Sequence, residues 1–243
     1  MADGPILVAD GLHKRFGALV VLDGVGLRIG EGEALGIVGP NGAGKTTLLS
    51  VLSGAQPPNA GSIAFKGADV TGLNAAARCR KGLARTHQIP RPFSGMTVFE
   101  NVYVAASQGG TSLRAEAYDI ATDALTLCGM LKVANRPAET LGLLDRKRLE
   151  LARALATRPS LLLLDEIGGG LTNAEASELV ETIRELRRRK ISIVWIEHIV
   201  HVLLEVAERL ICMDAGKIIA DGLPRDVLAD EGVVAAYLGG TPA

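Results

Sequence analysis

The chain reads as an α/β protein with a largely parallel sheet, and three observations predict it. Short β-branched runs alternate with segments of helical period over most of the length. One run, Leu161–Leu164, is apolar at every position, as a buried strand demands. A glycine-rich break, Gly39–Gly44, separates a strand-like run from a helix-like one.

In chain order, Ile6–Ala9, Val20–Ile29 and Ala34–Val38 carry strand patterns, and Lys45–Ser53 a helical one closed by Gly54. Gly61–Val70 is a strand pair turning at Lys66-Gly67. Asn74 caps a helix over Ala75–Lys81 that Gly82 ends, and Leu83–His87 is a further strand. Pro90, Pro92 and Gly95 then make a loop. Thr97-Val98-Phe99-Glu100 has capping-box spacing and opens a helix. Ser112–Gly129 and Asp145–Thr157 are helical by period, so residues 90–157 form a mostly helical lobe inserted between strands. After it, Leu161–Leu164 is a strand, and Thr172-Asn173-Ala174-Glu175 is a second capping box opening a helix to about Arg189. Ile191–Glu197 is a strand, Ile199–Glu208 a helix, and Leu210–Ala220 a hairpin around Asp214-Ala215-Gly216-Lys217. Gly239–Ala243 reads as a loose tail.

Composition narrows the function. Of 243 residues, 48% are hydrophobic and 22% charged, which excludes a disordered chain. The 26 Lys+Arg nearly balance 27 Asp+Glu, and aromatics are 3%, so neither a basic footprint nor a base-stacking surface for nucleic acid is present. Three widely spaced cysteines, Cys79, Cys128 and Cys212, contain no CxxC, which fits a reducing cytosolic compartment rather than a disulfide or zinc framework. Met1–Pro5 lacks a signal-peptide pattern, and no run nears the roughly 18 apolar residues of a membrane span. A soluble chain is expected.

Chemistry concentrates in a few segments. Gly39-Pro40-Asn41-Gly42-Ala43-Gly44-Lys45-Thr46 matches the phosphate-binding loop in full, between strand and helix. Glycines let successive amides turn toward a phosphate, and the following helix aims its positive end at the same place. Lys45 adds a mobile charge for the β- and γ-phosphates, and the Thr46 hydroxyl suits Mg²⁺. A triphosphate site is therefore expected. Leu161-Leu162-Leu163-Leu164 ends in Asp165-Glu166, and ligands of parallel sheets sit beyond such strand ends. Asp165 is expected to hold Mg²⁺ and Glu166 to polarise a water for attack on the γ-phosphate.

Other positions stay open on residue grounds. His198 ends a strand, as a phosphate sensor or as a structural residue, while His201 lacks a third partner for a metal site. Gln88 is a contact for Mg²⁺ or the lytic water, or a solvated loop amide. Phe16 is a flat partner for a base, or one of four phenylalanines in the core. Arg184, Arg187, Arg188, Arg189 and Lys190 read as a solvated helix end favoured by the helix dipole.

Taken in order, these motifs resemble the ATP-binding subunits of ABC transporters, over about Leu7 to Leu238. Gly39–Thr47 is similar to their Walker A, Gln88 to the Q-loop, Leu161–Glu166 to Walker B with its catalytic glutamate, His198 to the switch histidine and Phe16 to the adenine-stacking aromatic. The resemblance implies a RecA-like P-loop NTPase core over residues 1–89 and 158–238, with an N-terminal antiparallel β subdomain and the helical lobe. Ala84-Arg85-Thr86-His87-Gln88, Met96–Val102 and Ala235–Gly239 look like the ATPases of branched-chain amino-acid importers. ATP and Mg²⁺ as ligands are then implied. So are a second ATP-binding subunit, identical or paralogous, membrane permease subunits, an indirectly acting solute-binding protein, and a peripheral place on the cytoplasmic face of the inner membrane.

Two departures stand out. The family's Leu-Ser-Gly-Gly-Gln signature loop, which touches the partner's γ-phosphate, falls on Leu141-Gly142-Leu143-Leu144-Asp145, with no hydroxyl and with bulky leucines. After Glu166, Ile167-Gly168-Gly169-Gly170-Leu171-Thr172 stands where the family shows Pro and a D-loop Asp or Asn, and its glycines are free in φ/ψ. The first departure predicts an asymmetric dimer. Three rival classes are weighed: a nucleotide-holding switch with weak hydrolysis, a non-transport ABC ATPase, which usually carries two modules or a long insertion, and a phosphate-loop kinase, for which no acceptor site is evident. Coupling to membrane subunits is expected at the lobe around Gln88, where Ile89, Phe93, Met96 and Phe99 offer apolar groups.

Overall fold

A computed structural model describes residues 4–109 and 114–238, and its strands fall into two sheets. The chain begins with β1 (Leu7–Phe16), β2 (Leu19–Ile29), β3 (Ala34–Val38) and the helix α1 (Lys45–Leu52). Next come β4 (Ala60–Phe65), β5 (Ala68–Asp69), α2 (Ala75–Arg80) and β6 (Leu83–Arg85). The lobe holds α3 (Val98–Gln108), α4 (Arg114–Leu127) and α5 (Leu143–Ala156). Then follow β7 (Leu161–Asp165), α6 (Asn173–Arg188), β8 (Ser192–Ile196), α7 (Val200–Leu204), β9 (Arg209–Asp214) and β10 (Lys217–Gly222). The short helices α8 (Pro224–Ala229) and α9 (Glu231–Leu238) close the described chain.

The first sheet is antiparallel in the order β2-β1-β4-β5; the second runs β10-β9-β3-β8-β7-β6, parallel except for β10. Pleating separates two cores. Leu161, Leu163, Val194 and Ile196 face α1 and the antiparallel sheet, whereas Leu162, Leu164, Ile193 and Trp195 join the core on the side of α5 and α6. Parallel direction brings the carboxyl ends of β3, β6, β7 and β8 to one edge. Ligands bind beyond such an edge.

Several elements differ from the sequence reading. β1 extends through Phe16 because Gly11 takes a left-handed φ of 56° and the ladder shifts register around it. α7 stops at Leu204, short of Glu208, whose amide instead donates to the Ala34 carbonyl and starts the turn into β9. β8 stops at Ile196, so Glu197 lies beyond it. The helix expected from Asp145 begins at Leu143. The sequence reading places no helix after the hairpin ending at Ala220, whereas the structure has α8 and α9; Pro224 at the first turn of α8 is the start signal that marks one. Residues 112–113 of one expected helix and the tail 239–243 lie outside the described residues. At the end of α6, Arg184, Arg187, Arg188 and Arg189 pair with Glu205, Glu208, Glu185 and Asp123, which makes this an ion-paired solvated face.

Candidate active site

The loop after β3 is shaped by its glycines. Gly39 has φ 142°, and a Cβ there would lie 2.1 Å from the Met213 carbonyl oxygen of β9. Gly44 has φ 102°, with a Cβ position 2.6 Å from the Val21 carbonyl. Neither place admits a side chain. At Gly42, by contrast, nothing lies within 4 Å of the Cβ position, so its outer face is open. α1 starts at Lys45 without a side-chain cap, leaving its first amides for an anion. A cavity of about 190 Å³ results, lined by Val21, Asn41, Gly42, Ala43, Gly44, Lys45, Thr46, Thr47 and Glu166. Lys45 Nζ donates to the carbonyls of Gly39 (2.6 Å) and Pro40 (2.8 Å), and burial lowers its pKa against the pull of Glu166 and Asp165.

The acids stand across this cavity. Asp165 is 1% exposed at the end of β7. Its Oδ2 pairs with Arg85 Nη2 at 2.7 Å, and its Oδ1 accepts from Thr46 Oγ1 at 3.3 Å. Arg85 also donates to Ser50 Oγ at 2.8 Å, tying β6 to α1. One carboxylate oxygen is thus committed to Arg85 while the other meets a hydroxyl. Two hard oxygen donors at one point suit Mg²⁺ rather than a soft metal. No cluster of three or more His, Cys, Asp or Glu set to hold a metal occurs among the described residues, so such an ion would share its coordination with substrate phosphates.

Glu166 has φ 47°, a left-handed conformation that non-glycine residues seldom hold outside sites that need it. Its Oε1 lies 2.8 Å from His198 Nε2, and its Oε2 accepts from Gln88 Nε2. Three residues singled out in the sequence therefore meet at one carboxylate. Gln88, read from the sequence as a contact for Mg²⁺ or the lytic water or as a solvated loop amide, here meets the carboxylate expected to polarise that water. Phe16 stands apart: 46% exposed at the end of β1, with Lys14 Nζ 5.1 Å from its ring centre, it does not line the cavity. The segment Leu141–Asp145 is a cap and first turn rather than a loop. Leu141 is buried, Gly142 precedes α5 without a capping side chain, and Leu143 is half-exposed. Of the apolar groups expected on the lobe surface, Ile89, Phe93 and Met96 are exposed, whereas Phe99 packs on Tyr118 with ring centres 4.8 Å apart. Cys79, Cys128 and Cys212 are free thiols, and burial pushes Cys128 up to about 12.

Sequence reasoning missed Arg85, Lys147, Glu197 and Tyr237. Lys147 sits in register with the buried Leu151 and Ala154 of α5, so helical periodicity marks it as inward-facing. Its Nζ donates to the Glu166 carbonyl at 3.1 Å. Tyr237 comes from α9, and its hydroxyl accepts the Gly39 amide at 2.7 Å, a contact no local pattern foretells.

The chain is similar to known proteins over nearly its whole length. Residues 22–168 match the ABC transporter family, and residues 217–243 the branched-chain amino acid ATP-binding cassette transporter family. The high-affinity branched-chain amino acid transport ATP-binding protein LivG of Escherichia coli is 37% identical over 97% of this chain and 98% of its own length. BraF of Pseudomonas aeruginosa, with the same description, is 35% identical over equal shares. A solved ATP-binding cassette of an ABC transporter in its ADP conformation shares 30% identity and a TM-score of 0.86, covering 97% of this chain and 99% of that one. Among the described residues, no helix is long and apolar enough to cross a membrane. With the match running almost end to end, this chain belongs to the ABC transporter family, as an ATP-binding, ATP-hydrolysing subunit related to those of branched-chain amino acid transporters.

Proposed function

We propose that this subunit drives uptake of branched-chain amino acids or related small organic solutes through separate membrane permease subunits, from the cytoplasmic face of the inner membrane. A solute-binding protein would deliver the solute to the permease. Likeness to LivG and BraF supports the solute class, and no residue chemistry of this chain bears on it. The observation that carries the enzymatic reading is convergence at one sheet edge of the glycine loop, the Thr46–Asp165 contact and the Glu166–His198–Gln88 cluster.

In this reading, the amides of Asn41, Gly42, Ala43, Gly44 and Lys45, with Thr46 and Thr47, cradle the phosphates of ATP, while Gly39, whose amide is held by Tyr237, and Pro40, which has no N–H, shape the loop. The exposed ring of Phe16 takes a base that extends beyond the cavity. Thr46 Oγ1 and Asp165 Oδ1 would hold Mg²⁺, whose charge would offset that of the phosphate oxygens. Glu166 takes the proton of the attacking water, and His198 and Gln88 hold its carboxylate in place. Lys45 leaves the carbonyls of Gly39 and Pro40 for the phosphates. Lys45→Ala is therefore expected to weaken Mg·ATP binding by roughly 10- to 150-fold, since a charged hydrogen bond contributes about 1.5–3 kcal/mol. Calorimetry checks this, and unchanged affinity would count against the loop assignment.

The partner subunits follow from two surfaces. A cleft of about 320 Å³ between core and lobe, lined in part by Cys79, Arg85, His87, Glu150 and Arg153, whose guanidinium lies over the exposed Phe93 ring, suits a permease segment. Lobe rotation about Gln88 would couple it to the nucleotide. At the N-terminus of α5, Leu143 and Leu144 replace the small residues of the family's signature loop, and no hydroxyl is present. The dimer partner is then a paralogous cassette with an intact loop, which completes this chain's own site, while the reciprocal site is weaker by about 1.5–3 kcal/mol. The purified chain alone should turn over Mg·ATP slowly and without cooperativity, and a cassette bearing Leu-Ser-Gly-Gly-Gln should raise its rate. Full, cooperative ATPase activity by the chain alone would overturn the asymmetry. Should the leucines abolish turnover in both settings, the chain is a nucleotide-held switch instead.

A further inference from the structure

Two buried charged side chains stand outside that reading, and both grip the backbone around Glu166. Lys147 on α5 is 4% exposed and Glu197, just past β8, 1%. Lys147 donates to the Glu166 carbonyl at 3.1 Å, as does the Gly169 amide at 3.2 Å. Glu197 Oε1 accepts the Gly168 amide at 2.5 Å and Trp195 Nε1 at 3.3 Å, and its Oε2 accepts the His198 amide at 3.2 Å. Burial raises the pKa of Glu197 and lowers that of Lys147, and each charge opposes the other's shift. Two desolvated ions are a poor means of stabilising a core, since apolar residues of like volume do as well or better. Their contacts point to another purpose.

The glycine run after Glu166 supports this. A Cβ on Gly168 would lie 2.8 Å from Glu197 Oε1, and one on Gly169 4.0 Å from Lys147 Nζ. Gly168 is needed for room beside a carboxylate, beyond any freedom of φ/ψ. The run is a fitted turn, closed by the Gly169 amide on Glu166 and the Leu171 amide on Gly168.

We propose that Lys147 and Glu197 are positioning residues for Glu166: Lys147 ties α5, whose cap and first turn lie in Leu141–Asp145, to the Glu166 carbonyl, and Glu197 ties the glycine turn to the amide of His198. Together they hold a left-handed glutamate and its histidine neighbour at a fixed mutual distance. The inference rests on Glu166 being the base.

The test compares Lys147→Met, Lys147→Arg, Lys147→Met/Glu197→Gln and Gly168→Ala with the parent and with Glu166→Gln. Calorimetry gives ATP affinity, phosphate release gives kcat, and emission of Trp195, the single tryptophan, checks the core. Lys147→Met should lose about tenfold in kcat at unchanged ATP affinity, and Lys147→Arg, which keeps a donor, should recover most of it. Lys147→Met leaves Glu197 buried without its counter-charge; if it does not fold, the double variant, which removes both charges, decides. Gly168→Ala keeps both charges and should reproduce the kcat loss by displacing the Glu197 carboxylate. Parent kcat in the folded double variant and in Gly168→Ala, or a loss confined to ATP affinity, would overturn the proposal. An active Glu166→Gln would instead overturn the assignment of the base.

Discussion

Replacing Glu166 by glutamine is expected to leave Mg·ATP binding at the parent level and to cut turnover by about 10²- to 10⁴-fold, the range of a general base. The substitution is nearly isosteric, and the contacts that bind the loop, Lys45 to Gly39 and Pro40 and Thr46 to Asp165, do not involve the lost oxygen. The Lys147 bond reaches the Glu166 carbonyl and so survives. What changes is basicity: an amide cannot take a proton from water, and its NH₂ faces a donor in Gln88 or His198 instead of pairing with it. With ATP bound and not consumed, the nucleotide-closed dimer should persist. Single-turnover phosphate release and gel filtration in Mg·ATP measure the two effects, and hydrolysis at the parent rate would remove Glu166 from the role of base.

How much of this was legible in the sequence depends on whether a residue's environment is local. The glycine loop's shape is legible because glycines answer constraints set by their own backbone, and a Cβ at Gly39 or Gly44 would meet the Met213 or the Val21 carbonyl. Asp165 and Glu166 are legible because a wholly apolar strand must end where charge begins. The contact between Glu166 and His198 is not local. It arises because β7 and β8 pair in parallel, Asp165 opposite Ile196, so that the residues after each strand emerge side by side. Gln88 arrives through β6 on the other flank of β7, which is why it meets Glu166. The least legible residues are buried charges. Arg85 and Glu197 look like ordinary surface residues in a one-dimensional reading, because their partners lie on distant strands and turns. The strand pattern stops at Ala9, short of the end of β1, for a related reason. Gly11 looks like a break, and only pairing with both β2 and β4 carries the strand past it.

Arg78 shows the same blindness with a larger consequence for stability. In sequence it is one of two arginines in a short helix, indistinguishable from Arg80. In the structure it is 0% exposed. Nη1 donates to the carbonyls of Val51 (2.8 Å) and Leu52 (2.7 Å), Nη2 to Thr71 (3.0 Å) and Nε to Leu73 (3.0 Å). The first two carbonyls belong to the last turn of α1, whose other end carries the phosphate loop. A cation there satisfies orphan acceptors and opposes the negative end of the helix dipole. Burial lowers the pKa of Arg78, the expected direction for a cation taken out of water. Arg78→Met keeps the apolar stem and removes four charged hydrogen bonds to carbonyls, those of Val51 and Leu52 buried and those of Thr71 and Leu73 part-buried, each worth about 1 kcal/mol or more. The expected loss is ~4 kcal/mol, a large share of the 5–15 kcal/mol that holds a typical domain folded. For a chain of this size that is a fall in Tm of roughly 8–16 °C. Arg78→Lys, with a single nitrogen, should recover only part of it, since one ammonium cannot reach acceptors on α1, Thr71 and Leu73 together. Thermal unfolding without nucleotide measures both variants. A fall of about 2 °C or less in Arg78→Met would mean that water satisfies these carbonyls, and that α1 does not depend on the guanidinium at its far end.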